Sequence, residues 1–203
     1  MKKNAYFLLL FFVYVSFAGE FPLKDICINS YIDISGEWLF KMDNSDIGIK
    51  EKWYENDFDR NDWEKVIVPG VWNKKPPDIK FPVPATIGWY SKNATIPSNW
   101  KEEVLIVFLG SMYTTDVWVN GNYAGVHRGG YTPFFIDITK FVKPGTKSTI
   151  VVRVDNRRGK TIPAGHMGWH PYGGIYREVY LIHRGLVHFE NVSTSTTVDK
   201  NQA

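Results

Sequence analysis

Alternation of apolar and polar positions with a period of two recurs along this chain, and it is clearest between Tyr113 and Thr139. There Tyr113, Thr115, Val117 and Val119 point one way, and Thr114, Asp116 and Trp118 the other. That is the spacing of a strand with two distinct faces. Asn120-Gly121 interrupts the pattern before Tyr123-Ala124-Gly125-Val126 resumes it. Both turn residues tolerate positive φ, as a two-residue type I′ hairpin requires. Gly129-Gly130 then releases the chain toward Phe134, and Pro133 suits a sheet edge, where a missing N–H costs nothing.

The same reading extends to either side. Ile34 to Met42 alternates, with Trp38, Phe40 and Met42 on one face. Val66-Ile67-Val68 is a short strand stopped by Pro69-Gly70. Gly88 to Ile96 and Val104 to Leu109 are strands, the second apolar on both faces and therefore central. Phe134 to Ile138, Thr149 to Asp155 and Ile175 to His183 complete the set. Asp43 to Trp63 is polar apart from Trp53, Phe58 and Trp63, which predicts irregular structure with one helical turn. Asn73 to Thr86 carries Pro76, Pro77, Pro82 and Pro84 and is an extended loop. Asn156 to Gly174 is a second long loop, rich in Gly, Pro, His and aromatics. Short strands at this spacing, with almost no helical periodicity, predict an all-β protein: an antiparallel two-sheet sandwich of jelly-roll type.

Composition narrows the classes. The 203 residues suffice for one domain with a real core. Aromatics make up 16%, with 8 Trp, a content that suits a sandwich interior and also a face on which pyranose rings stack. The formal net charge of +3 is spread out, and no Lys/Arg cluster argues for nucleic acid. Lys2 and Lys3 precede an apolar run from Tyr6 to Phe17, and Ser16-Phe17-Ala18 offers small residues for cleavage. Residues 1–18 therefore read as a signal peptide, with export to the periplasm or medium of a bacterium and no membrane contact after cleavage; an uncleaved anchor is the alternative. Cys27 is the one cysteine, so no intramolecular disulfide forms, and it has no metal-ligand spacing around it. His166 and His170 stand at i, i+4, a pairing that ligates metal on a helix. Glycine and proline around them argue against a helix, so neither a metal nor a cofactor is expected.

An ordered series of short motifs carries a resemblance. Ile34-Ser35-Gly36-Glu37-Trp38 is followed by Trp53 and Phe58, then Val68-Pro69-Gly70-Val71-Trp72 and Gly88-Trp89-Tyr90. Val117-Trp118-Val119-Asn120-Gly121, Gly130-Tyr131-Thr132-Pro133-Phe134 and Asp137-Ile138-Thr139 come next. Arg153-Val154-Asp155-Asn156 and Gly174-Ile175-Tyr176-Arg177-Glu178-Val179 close it. From about Asp33 to Arg184 the chain resembles the N-terminal, galactose-binding-domain-like jelly roll of glycoside hydrolase family 2, which contains β-galactosidases, β-glucuronidases and β-mannosidases. On the residues alone most of these positions are structural. Arg177, between apolar neighbours, is expected to pair with a buried carboxylate, with Asp116, Asp137, Asp155 and Glu178 competing for that role.

The resemblance implies a retaining glycosidase, with two carboxylates about 5 Å apart supplied by a (β/α)₈ barrel. The family's acid/base glutamate follows an asparagine, and this sequence has no Asn-Glu dipeptide. A barrel would also need roughly 250 further residues. The expected organisation is a signal peptide over 1–18, a sugar-binding sandwich over 19–185, and the start of a truncated immunoglobulin-like domain over 186–203. The expected function is that of a non-catalytic carbohydrate-binding domain. Its partners would be a β-linked carbohydrate and the (β/α)₈ catalytic domain of the same or a neighbouring chain. A free-standing lectin-like module and a structural prop for the barrel are the competing readings. In family members with β-galactosidase activity, a loop Asn-Val-x-Tyr-Pro lends its asparagine to the substrate pocket. Asp78-Ile79-Lys80-Phe81-Pro82 resembles it and places Asp78 at that position; a carboxylate there accepts two hydroxyl hydrogen bonds. The family's sodium-binding aspartate precedes a glycine, and Arg158-Gly159 stands there instead, which removes the metal. Ile162-Pro163-Ala164-Gly165 is closer to β-glucuronidase-like members. His166, Trp169, His170 and Tyr172 follow as candidate sugar contacts, or as interdomain contacts.

Overall fold

The computed structural model describes residues 30–72, 85–157, 173–185, 187 and 193–197. In chain order the strands are β1 (Ser30–Asp33), β2 (Gly36–Met42), β3 (Glu64–Val68), β4 (Ile87–Thr95), β5 (Glu103–Phe108) and β6 (Ser111–Met112). They continue as β7 (Thr114–Val119), β8 (Asn122–Arg128), β9 (Phe134–Asp137), β10 (Lys147–Asp155), β11 (Gly174–Ile175) and β12 (Val179–Arg184), with a 3-10 turn over Thr139–Phe141. One sheet has the order β1-β12-β5-β9, a larger one β3-β2-β4-β10-β7-β8, and β11-β6 form a small ribbon. Every pairing is antiparallel. This is the two-sheet sandwich that the alternation predicts.

The strand phase follows the side-chain period. Thr115, Val117 and Val119 of β7 are fully buried, and the two valines pack with Ile150, Val152 and Val154 of β10 and Ile106 and Phe108 of β5 in the main core. Trp38 and Phe40 of β2 face the same core, with Met42 packed against it. At the hairpin, Asn120 and Gly121 have φ of 51° and 78°, the positive values a type I′ turn needs. The Asn120 side chain donates to the Phe141 carbonyl (2.8 Å) and accepts from Thr149 N–H (2.9 Å), so the turn is tied into the neighbouring strand. β5 is flanked by β12 and β9 and β9 is an edge strand, as the apolar run and Pro133 require.

A second core lies on the outer face of the larger sheet. Trp118 is buried there with Trp53, Trp63, Trp89, Ile87 and Val151. Its indole stacks on Tyr54 and on Trp89, with ring centroids 5.2 and 5.3 Å apart. The segment between β2 and β3 supplies Trp53, Tyr54, Phe58 and Trp63 as anchors; it is irregular, with one turn of helical type closed by Glu51 N–H on the Ile47 carbonyl (2.8 Å) and no regular helix. Charged residues keep the segment's other face in water, and Trp53, Tyr54, Phe58 and Trp63 order it without a repeating backbone ladder.

Three further expectations change. β1 pairs with β12 and begins before the first predicted strand. The strand predicted from Ile175 to His183 is broken, because both Tyr176 N–H and Arg177 N–H bond the Gly110 carbonyl instead of a continuous partner strand. Arg177 is exposed, with its guanidinium over the Tyr176 ring at 5.7 Å, and it has no ion pair among the described residues. The buried, paired arginine is Arg153, whose side chain is 11% exposed and which bonds Asp116 and Asp155. Two of the carboxylates expected around Arg177 thus serve a different arginine, one placed mid-strand and held by its register opposite Asp116.

Candidate functional site: the common stem of two loops

The two long loops of the sequence leave the sandwich from one shared base. At one side Trp72 N–H donates to the Gly173 carbonyl (3.0 Å), and Gly70 N–H donates to the Ile175 carbonyl (2.8 Å). At the other, Thr86 N–H donates to Asn156 Oδ1 (2.7 Å) and Asn156 N–H to the Thr86 carbonyl (3.1 Å). The start of the first loop is therefore bonded to the end of the second, and the end of the first to the start of the second. Asn156 is fully buried, so its amide is committed to this stem. A buried amide left unpaired would cost about 1–3 kcal/mol, which fixes the pairing.

Glycines make the first contact close enough. A Cβ on Gly173 would overlap the indole of Trp72, and one on Gly88 would come within 2.6 Å of both Phe40 and Trp72. Gly174 has φ of 127°, and a Cβ there would lie 2.7 Å from the Gly70 carbonyl. Trp72 stacks on Phe40 with centroids 6.0 Å apart. Beside it a cleft of ≈ 40 Å³ is lined by Phe40, Val66, Gly70, Trp72 and Tyr90. Ligand sites typically run to about 300–1,000 Å³, so this cleft alone encloses no sugar ring. Burial pushes the Tyr90 hydroxyl far above its ordinary range, so it stays neutral.

The second loop starts in a charged network. Asp155 accepts from the side chains of Arg153 (2.9 Å) and Arg157 (2.8 Å). Arg157 also reaches Asp46 (2.8 Å), and Asp116 accepts from Arg153 (3.1 Å) and from the Tyr123 hydroxyl (3.1 Å). Burial alone would raise the Asp155 carboxyl, but side-chain and backbone hydrogen bonds from Arg157 outweigh it and hold it below its usual value. Those same bonds raise the Arg157 guanidinium. Among the described residues no group of His, Cys, Asp and Glu is arranged to hold a metal ion.

Asp78 falls within the first loop, and His166, Trp169, His170 and Tyr172 within the second; all five lie outside the described residues. The described stems join the bases of the two segments in which these residues fall. Sequence reasoning missed Asn156 as the loop clasp and Asp46 as a partner of Arg157. Asn156 follows directly on a buried strand, which is a readable signal; the Asp46 contact joins residues too distant in sequence to be read.

Comparison with known proteins places this geometry. Residues 32–185 match the model of "Glycosyl hydrolases family 2, sugar binding domain". A β-galactosidase of Thermoanaerobacter pseudethanolicus is 37% identical over 68% of this chain and 19% of its own length. A putative β-glucuronidase of Formosa agariphila is 32% identical over 100% of this chain and 24% of its own. The solved structure of a β-glucuronidase from an uncultured Clostridium superposes with a TM-score of 0.74 at 26% identity, covering 87% of this chain and 32% of that one. The chain thus spans between 19% and 33% of the length of the first curated relatives it matches. On the family match and the sandwich that carries it, the chain belongs to glycosyl hydrolase family 2, through its sugar-binding domain.

Proposed function

We propose that this chain is the non-catalytic carbohydrate-binding domain of an exported β-glycosidase of the β-galactosidase or β-glucuronidase kind. The loops over 73–84 and 158–172 would form one wall of a sugar site that a (β/α)₈ catalytic domain completes. The observation that carries the reading is the double stem. Trp72 with Gly173, and Thr86 with Asn156, hold two loops bearing Asp78, His166, Trp169, His170 and Tyr172 on one base. A carboxylate, imidazoles and aromatic rings are the groups that hydrogen-bond and stack on pyranosides. The small cleft beside the stem agrees with a wall and not with a complete pocket. Asp46, Asp116 and Asp155, the carboxylates of the charged network, are engaged by arginines and are not free to act as a nucleophile and acid/base pair. The apolar run from Tyr6 to Phe17 supports export.

The test is turnover and binding by the purified chain. It should release no nitrophenol from p-nitrophenyl β-glycosides, and it should bind the intact probes weakly, because one wall excludes little water. Turnover that survives Asp78→Ala and disappears on substitution of another carboxylate would show a catalytic site in this domain and end the reading.

A further inference from the structure

The two sheets meet at a seam between β8, an edge of the larger one, and β9, an edge of the smaller one. Gly125 of β8 lets the strands approach, since a Cβ there would come within 3.3 Å of Ile136. His127 lies two residues further on, on the same face. Its ring stacks on Phe134 of β9, with centroids 4.0 Å and planes 9° apart, and Phe134 stacks in turn on Phe108 of the main core (5.0 Å). A ring of the larger sheet is thus laid directly on the aromatic stack of the smaller. A hydrocarbon ring would serve for packing, but imidazole brings a polar atom with it. His127 Nε2 is buried and meets no hydrogen-bond partner among the described residues. Gly129 crowds it, with the place of a Cβ only 2.8 Å from Nε2.

The groups around this ring offer it no countercharge. Across the ladder stands Thr115, fully buried and with its hydroxyl bonded to that of Ser111. On β8 the neighbouring Arg128 belongs to the outer side, where its charge acts on Tyr123. Asp116 of β7 is on that side too, held by Arg153 and the Tyr123 hydroxyl. On β9 Asp137 is taken by Thr139 N–H (2.9 Å). The turn after β8 adds phenols and no carboxylate: Tyr113 accepts at its carbonyl from Gly129 N–H, Tyr176 donates its hydroxyl to the Gly130 carbonyl, and Tyr131 follows. Burial, with nothing to oppose it, holds the His127 imidazole below its ordinary value of 6.5.

We propose that His127 is a pH-sensitive latch on this seam: neutral, it closes β8 against β9, and on protonation it releases β8 so that the imidazolium reaches water. The cation needs an acceptor for each of its N–H groups, and a buried charge without one is costly. β8 is bonded to the sheet through β7 alone, so it can lift locally while β4, β10 and β7 stay paired. The closed seam binds protons less readily than the open one. The latch is therefore fully closed above 6.5 and is lost as the pH falls from there through the lower closed-state value.

The experiment is amide hydrogen exchange of the full chain, read by mass spectrometry at about pH 8 and about pH 5, on either side of the imidazole range, with rates corrected for the intrinsic effect of pH. Peptides spanning residues 122–137 should lose protection roughly threefold or more at the acid pH, while those of β10 keep theirs. His127→Phe retains the ring stack and cannot titrate, so the acid loss should disappear. His127→Gln, a second variant without a titrating ring, should likewise show the same protection at both pH values, whatever its baseline. His183→Gln removes the imidazole that bonds Glu102 (2.6 Å) on β12 and should leave the acid loss intact. Equal protection of the parent at both pH values would overturn the proposal. So would an equal loss in β10, a loss that persists in both His127 variants, or one that disappears in His183→Gln.

Discussion

Gly173 and Gly174 show how single residues set the site. Both lie where the second loop returns to the sandwich, and the space for a Cβ is occupied by the Trp72 indole in one case and by the Gly70 carbonyl in the other. Gly173→Ala should cost about 1–3 kcal/mol in denaturant unfolding, because Trp72 must move off its stack with Phe40 or the stem bond must lengthen. A change within about 0.5 kcal/mol, the size of an ordinary surface substitution, would show that the stem does not hold the loop. Asp155 gives a pH test at the same scale. Its folded carboxyl lies below its ordinary value of 3.8. Its stabilising contribution is therefore fully present above that value and is lost as pH falls through the lower folded one. Asp155→Asn should lower stability at neutral pH by about 1–3 kcal/mol, the range for hydrogen bonds to charged groups less some screening. The gap to the parent should close as the pH falls below 3.8 and through the lower folded value. A gap that stays constant over that range would mean that the carboxylate charge contributes nothing.

At the scale of elements, the strands were legible because each carries its period locally. Val117 and Val119 point inward because Trp118 points outward, and Asn120-Gly121 fixes where the hairpin reverses. The 43–63 segment was legible only as anchors. Its aromatics predict burial, but their target, the outer face of the larger sheet, is a property of the pairing of β4, β10 and β7. Arg177 illustrates the limit. Apolar neighbours suggest a buried strand position, yet the bifurcated turn on Gly110 rotates it into solvent, and it is Arg153, on the outer face of the larger sheet, that cross-strand register pairs with a carboxylate. No local pattern distinguishes these two arginines. The stem, likewise, joins residues that are remote in sequence, so the sequence yields the candidate sugar residues and the fold shows that the segments carrying them start and end on one base. Trp118 belongs to this scale, since it links the segment to the sheet through Tyr54 and Trp89. With 6% of its surface exposed, Trp118→Ala should cost about 3–5 kcal/mol in equilibrium unfolding. A loss under about 1 kcal/mol would show that the aromatic stack on the outer face is dispensable.

Over the whole molecule, the two cores and the loop pair divide the work. The main core and the aromatic outer core are built from strands and from the 43–63 segment. The two loops attach to this scaffold through backbone bonds and the Asn156 amide at their bases. Loops generally vary their side chains without unfolding the scaffold that carries them, and sandwich domains commonly present binding groups on loops gathered at one end. His170→Ala and Tyr172→Ala should therefore leave the melting temperature of the chain nearly unchanged. When the domain is joined to a family 2 catalytic barrel, the same changes should weaken sugar binding or catalysis by about 1–3 kcal/mol, the size of a lost stacking contact or partly buried hydrogen bond. Thermal unfolding of the variants and kcat/KM of the joined protein together decide the matter. Large stability losses with unchanged kinetics would place these side chains in the scaffold. Unchanged stability with lower kcat/KM would place them in the wall of the sugar site.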